Sequence, residues 1–330
     1  MKRWSMREIA RRAGVSPATV SRVMNGQGNV SPELAERVRA VLRSMQREQR
    51  SGTALPNRIG IAIPRRLEGY GMVGDSFYGE VLSAIDKVMR EEGHELALCP
   101  YDPEEPFDVL LNETFSRYDG LILLGADTPD QLAREGVQRK LPVVVIDKHV
   151  HGVDSVVSDN VGGAEAVTCF VLSRGYQNLA YLCETLDDAS FAARARGFSQ
   201  AIAASGRTDL RYEICEVGRG WLKAQQVLDH LIATYPFPLA IVAGNDMTAL
   251  HILALARAKG IAVPSELGLV GFDDVPLASM AEPALTTVRV DKAEMGRLAA
   301  QRLLERLTRP DLTPVTAMMH VSLVVRASTA

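Results

Sequence analysis

Apolar residues repeat in two rhythms along the chain. Up to about residue 48 they recur every three or four positions, the spacing of one helical face; beyond Arg58 they gather in short unbroken runs. In the first region "SMRE" forms a capping box, with Ser5 as cap and Glu8 reaching back, and Met6, Ile9, Ala10 and Ala13 then mark one apolar face. Gly14 stands where a helix ends in a left-handed residue. Ser16 is a good N-cap and Pro17 suits the first helical position, with Val15 and Val20 spaced as a hydrophobic staple. Val20, Val23 and Met24 make the buried stripe of this second helix, leaving Thr19, Ser21, Arg22 and Asn25 largely off it. "NGQGN" ends it, and Ser31-Pro32-Glu33 opens a third, lined by Leu34, Val38, Val41, Leu42 and Met45. Three short helices with a glycine turn between the first two predict a helix-turn-helix.

In the second region "RIGIAIP", "HELALCP", "DGLILLG", "LPVVVID" and "VDSVVSD" read as strands buried on both faces, because they lack polar alternation. A second set follows: "NLAYLC", "YEICEVG", "PLAIVAGN" and "LGLVGFDD". Helical stretches such as "GEVLSAIDKVMREEG" separate them. The expected architecture is an all-α helix-turn-helix head followed by an α/β body of two lobes, each a doubly wound parallel sheet. Ligands in such sheets gather beyond the carboxyl ends of the strands.

Composition adds little to this, and charge adds more. The 330 residues, 47% hydrophobic and 23% charged, suit a globular protein with room for two or three domains. No apolar run is long enough for a membrane span, and "MKRWSMREIARRAG" has no signal-peptide core, so the expected location is the cytoplasm. Cys99, Cys169, Cys183 and Cys215 are scattered and read as buried thiols. Up to Arg58, twelve basic residues face four acidic ones, about +8; with a total of −3, the remainder carries about −11. A basic head on an acidic body predicts a polyanionic partner for the head alone.

The stretch "MREIARRAGVSPATVSRVMNGQGNVSPELAERV" resembles the head of lactose-repressor/galactose-repressor (LacI/GalR) family transcription regulators. The resemblance implies that the second helix lies in the DNA major groove. Pro17 and Ala18 then occupy its two variable base-facing positions, with Ser16 at the helix start among the DNA-facing residues. Arg22 reads bases, guanine suiting its fork, and Thr19, Ser21 and Asn25 hold phosphates or nearby base edges. Leu55 is the candidate minor-groove wedge, although the family's usual linker run is absent, Pro56 follows directly, and a plain tether is the stronger reading of "MQREQRSGTALPNRIG".

The body resembles the same family's periplasmic-binding-protein-like effector domain, through "DNVGGAEAVTCFVLSRGYQNLAYL", "RARGF", "AGNDMTAL", "GLVGFDD" and "LVVRAST". The implied divisions are a head at 1–48, a linker at 49–58 and an effector-binding and dimerisation body at 59–330. Its lobes comprise about 59–158 with 290–317, and about 159–289 with 318–330. The implied effector residues are Arg194, Asp273, Asn245, Asp147, Trp221 and Phe77, all at strand ends except Arg194 and Trp221, which head helices. Forked arginine and carboxylate groups suit adjacent sugar hydroxyls, and a ring suits the sugar's CH face. Asp273 as a helix cap and Trp221 as ordinary packing remain the plainer alternatives.

Two departures matter in the body. "IPRRLEGYGMVGDSFYGE" is longer than the family's first strand-to-helix connection, and Lys292 in "RVDKAEMG" replaces an aromatic common in the family near the last lobe crossing. With Lys148 and Arg65, Lys292 favours a sugar acid or sugar phosphate over a neutral sugar. No cofactor or metal is implied; His149 and His151 alone make a weak metal pair. With no heptad helix after "LVVRASTA", a homodimer on a near-palindromic double-stranded operator is expected. A soluble sugar-binding or chemosensory protein without a DNA role is the rival. An enzyme is not expected, since no GxGxxG follows a strand and neither a Walker A run nor a GxSxG elbow occurs.

Overall fold

The computed structural model describes residues 6–24, 30–31, 34–35, 37–38, 41, 57–64, 76–102, 105–125, 129–218 and 220–329. The chain forms two units, Met1–Pro56 and Asn57–Ala330.

In the first unit, α1 (Met6–Ala13) and α2 (Pro17–Met24) meet at a tight corner. Gly14 takes it with φ +61°, a conformation that glycine adopts without strain. The Thr19 N–H donates to Ser16 Oγ at 3.1 Å, the cap expected at the start of α2. Residues 34–35, 37–38 and 41 are helical as well, and Arg37 Nη2 donates to the Ala13 carbonyl at 2.8 Å. That places a cation on the carbonyl end of α1, where the helix dipole favours it. Ile9, Ala10, Ala13, Val20 and Val38 form the core, with Val15, Val23 and Val41 against it. Two methionines depart from the expected stripes. Met6 and Met24 are about half exposed, because each stands at the outer end of a two-turn helix. Glu8 engages Arg11 (2.7 Å) and Arg12 (3.2 Å), one turn on in its own helix; Ser5, its expected partner, lies outside the described residues.

The second unit holds two parallel sheets. The N-lobe sheet runs β2-β1-β3-β4-β5-β11, from β1 (Arg58–Pro64), β2 (Glu95–Tyr101), β3 (Gly120–Leu124), β4 (Val143–Ile146), β5 (Asp154–Ser158) and β11 (Thr316–Met319). Alternate residues of its central strands serve two cores. Ile122, Leu124, Val144 and Ile146 pack with α3 (Ser76–Glu91) and α10 (Lys292–Thr308). Leu121, Leu123, Val143 and Val145 pack with α4 (Asp130–Gln138) and the irregular helical passage over 107–117. Burial on both faces is why these strands read as unbroken apolar runs.

The C-lobe repeats the plan with β7-β6-β8-β9: β6 (Asn178–Cys183), β7 (Arg211–Glu216), β8 (Leu239–Ala243) and β9 (Leu267–Val270). One face carries α5 (Asn160–Ser173) and α6 (Ala189–Ala204), the other α7 (Trp221–Thr234), α8 (Asp246–Ala258) and α9 (Pro276–Met280). Helices α5 and α6 touch so closely that a methyl group at Gly197 would collide with the Val161 carbonyl. Gly197→Ala is therefore expected to cost about 1–3 kcal/mol of stability, read as a lower midpoint in denaturant; an unchanged midpoint would show that the helices part freely.

The chain passes between lobes three times. β5 leads into α5 through Asp159, whose carboxylate accepts from Gly162 N–H at 2.8 Å. β10 (Thr287–Arg289) leads into α10 through Asp291, which caps Glu294 N–H at 2.9 Å. β11 returns to β12 (Ser322–Val324), which pairs antiparallel with β10. The sequence reading contained none of β10, β11 and β12. Cys169 is another departure: it is exposed on α5, while Cys99 and Cys183 are buried. No described helix is long and apolar enough to cross a membrane.

Candidate functional site

Two strand ends set the geometry. Asp147 follows β4 with φ +69°; Asp273 and Asp274 follow β9 with φ +112° and +51°. Left-handed backbone at non-glycine residues costs on the order of 1–3 kcal/mol and gathers where ligands are held. Here it turns the chain at the carboxyl end of each sheet, where doubly wound folds bind ligands.

Asp147 is buried and joins the lobes. Tyr78 Oη donates to its Oδ2 at 2.9 Å from α3, and Ser190 Oγ, from the opposite lobe, lies 3.1 Å from its carbonyl and 3.2 Å from Oδ1. Burial pushes its carboxyl up to about 6; Asp188 adds to the shift, while Arg194 and the bonds from Tyr78 and Ser190 oppose it.

Arg194 faces it from the second turn of α6, a turn further in than the helix-head position expected. It is 4% exposed. Nε donates to Asn160 Oδ1 at 2.8 Å, Nη1 to the Gly244 carbonyl at 2.6 Å, and Nη2 lies 3.3 Å from Asp273 Oδ1. The guanidinium rests 3.8 Å over the Phe272 ring. Such a fork, fixed by three partners and a ring, is aimed before any ligand arrives. Asn245 caps α8, accepting from Thr248 N–H at 2.8 Å.

These groups line a cleft between the lobes. Phe77, Tyr78 and Asp147 come from the N-lobe; Glu184, Thr185, Asp188, Ser190, Phe191, Arg194, Asn245 and Asp273 come from the C-lobe. Five of the seven residues singled out by sequence meet here: Phe77, Asp147, Arg194, Asn245 and Asp273. Trp221 and Lys292 are not among the lining residues. The Trp221 ring is half-exposed at the start of α7, 4.4 Å from the His251 ring. Lys292 is buried, with Nζ donating to the Asp273 carbonyl at 2.7 Å and the Asp274 carbonyl at 3.2 Å. Tyr78, Glu184, Thr185, Asp188, Ser190 and Phe191 were missed. The signals were present, since Glu184 and Thr185 directly follow "NLAYLC" and Asp188 is the N-cap of α6, accepting from Ser190 and Phe191 N–H.

Two of the three cations behind the preference for an anionic effector are engaged elsewhere. Lys148 pairs with Asp130 at 2.7 Å, Lys292 is turned to backbone carbonyls, and Arg65 lies outside the described residues. The lining holds four carboxylates and one guanidinium, itself matched by Asp273. Carboxylates accept bonds from hydroxyls and repel anions, so the described walls suit a neutral polyol. His149 Nδ1 lies 2.8 Å from Thr316 Oγ1, and no three potential metal ligands cluster among the described residues.

In the head, Ser16, which caps α2, and Pro17, Ala18 and Arg22 on it are exposed, and Thr19 and Ser21 are half-buried. Ser16 Oγ and Thr19 Oγ1 bond each other at 2.9 Å. Asn25 and Leu55 lie outside the described residues.

Comparison with known proteins joins the two units. Residues 5–46 match the model of bacterial regulatory proteins of the lacI family, and residues 170–329 match that of a periplasmic binding protein-like domain. The ribose operon repressor of Escherichia coli K12 is 29% identical over 338 residues, covering 98% of this chain and 99% of the relative. The HTH-type transcriptional regulator DegA of Bacillus subtilis 168 is 31% identical over 308 residues, covering 88% and 87%. Among solved structures, a complex of the transcriptional regulator CelR with cellobiose superposes with TM-score 0.72 at 25% identity, covering 99% of this chain and all of that one. A helix-turn-helix with an exposed second helix, two linked parallel-sheet lobes and these relatives lead to one conclusion: the chain belongs to the lacI family of bacterial regulatory proteins and is a DNA-binding transcription regulator.

Proposed function

We propose that the protein is a cytoplasmic repressor whose operator affinity is set by a neutral sugar-like effector held between the lobes. The observation that carries this reading is the cleft itself, where Asp147 and the Arg194–Asp273 pair stand on opposite walls and Ser190 already bridges them. A ligand bonded to both walls favours one lobe angle, and linkage then makes operator affinity depend on it. The lacI-family head removes the rival reading of a sugar sensor without a DNA role. The protein acts as a homodimer, two α2 helices entering successive major grooves of a near-palindromic double-stranded operator.

The test pairs selection of operator sequences from a random DNA pool with thermal shift across D-ribose, cellobiose, glucuronate and ribose 5-phosphate. A neutral sugar should raise the melting temperature and alter operator affinity. Stabilisation by the anions alone, or no sequence-selective DNA binding, would overturn the reading.

Within α2, Pro17 and Ala18 offer no side-chain hydrogen bond to a base, so hydrogen-bonded readout falls on Arg22. Arg22→Ala should remove about 1–3 kcal/mol of discrimination at one base pair. Ala18→Ser should leave the preferred site unchanged. Binding to single-base operator variants decides between them; the reverse pattern would misplace the helix.

A further inference from the structure

Lys292 does not line the cleft, yet its contacts converge on the residue that does. It opens α10, which packs on the N-lobe, and is 4% exposed. A buried ammonium needs acceptors for three N–H groups. It finds the carbonyls of Asp273 (2.7 Å), Asp274 (3.2 Å) and, more distantly, Val290 (3.5 Å), with Glu80 Oε1 of α3 at 3.7 Å as countercharge. Packing alone would be met by methionine or leucine at this position. What the ammonium adds is a grip on the Asp273–Asp274 turn.

That turn has to be held. Both residues are left-handed, and such backbone persists only where its surroundings over-determine it. The Asp274 carboxylate is fixed by Arg289 Nε and Arg326 Nη2, each at 2.6 Å, from β10 and just beyond β12. The Asp273 N–H donates to Val288 O at 2.7 Å. These partners lie on the crossing segments and Lys292 on an N-lobe helix, while the Asp273 carboxylate extends to Arg194.

We infer that Lys292 is a positioning residue: it ties the aim of the Asp273 carboxylate to the position of the N-lobe, so that effector contact at Asp273 and the lobe angle act on each other. The inference rests on the cleft being the effector site, but part of its test needs no effector. In full-length protein, Lys292→Met keeps the length and removes the donors. Amide exchange at 271–275 should quicken about tenfold, the worth of a charge-assisted bond, while amides of α3, β6 and β8 keep their protection. Lys292→Gln, with two N–H donors, should fall between, and its exchange pattern decides if the Met variant does not fold. Exchange unchanged at 271–275, or lost equally from α3, would show a plain packing role and overturn the inference. The second arm uses D-ribose and cellobiose: whichever stabilises the parent protein should bind Lys292→Met about tenfold more weakly, by the same bond, and equal binding would also overturn it. If neither sugar binds the parent, the choice of effector fails, and the exchange result still stands.

Discussion

Arg194→Ala should abolish effector binding and lower the stability of the body by about 3–5 kcal/mol, as removal of one partner from a buried ion pair does. Its guanidinium bonds Asn160 and the Gly244 carbonyl, sits 3.3 Å from Asp273 and covers Phe272, so one truncation empties the centre of the C-lobe wall. Asp273 and Asp147, both buried, then lose the positive charge between them, and neither carboxylate is easily rehydrated. For a unit of this size the melting temperature should fall by roughly 10 °C. Arg194→Lys separates the two roles. A lysine keeps the charge and recovers part of the stability, but it cannot reach Asn160, Gly244 and Asp273 together, so sugar binding stays absent. The head is a separate unit, and DNA binding by the unliganded variant should match the parent. Calorimetric melting with a sugar titration checks each outcome; an alanine variant that melts normally and still binds sugar would remove Arg194 from the centre of the site.

How far the sequence was legible follows from where each signal is stored. The runs "DGLILLG" and "NLAYLC" predict β3 and β6 because burial on both faces leaves nothing else for those positions. β10 and β12 are three residues each, "TVR" and "SLV", too short for any period, and they pair only because two crossings lie side by side. The carboxylates at the strand ends were readable because the cleft position is a property of the fold. Lys292 was not. Its place in "VDKAEMG" locates the backbone beside the cleft, whereas the direction of the side chain is decided by two carbonyls made available by the left-handed turn nineteen and eighteen positions earlier. Trp221 is alike: position puts it at a helix start, and the His251 ring on a neighbouring helix draws it. Met6 and Met24 fit a helical period that continues past the end of their short helices.

Asp147→Asn should stabilise the effector-free body relative to the parent as pH rises, and should weaken sugar binding at every pH. The carboxyl titrates near 3.8 when unfolded and about 6 when buried, so between those values the folded chain holds a proton that the unfolded chain has released. Stability of the parent from this group is therefore full below about pH 4, is lost as pH rises through 6 and is constant above; the whole change is about 3 kcal/mol. Asparagine does not titrate. It forfeits some of the bonding from Tyr78 and Ser190, a penalty independent of pH, so the informative quantity is the difference between variant and parent across pH 4 to 7.5. That difference should move in favour of the variant by up to about 3 kcal/mol and then stop. Asp246, also pushed up to about 6 by burial, remains in both proteins and cancels. Sugar binding runs the other way. The ionised carboxylate accepts from hydroxyls, so the parent should bind best above pH 7 and lose affinity as pH falls below 6, while the variant binds weakly with little pH dependence. A stability difference that stays flat from pH 4 to 7.5 would mean that Asp147 titrates normally. The carboxylate would then be ionised over almost all of that range, and sugar binding by the parent should lose its pH dependence as well.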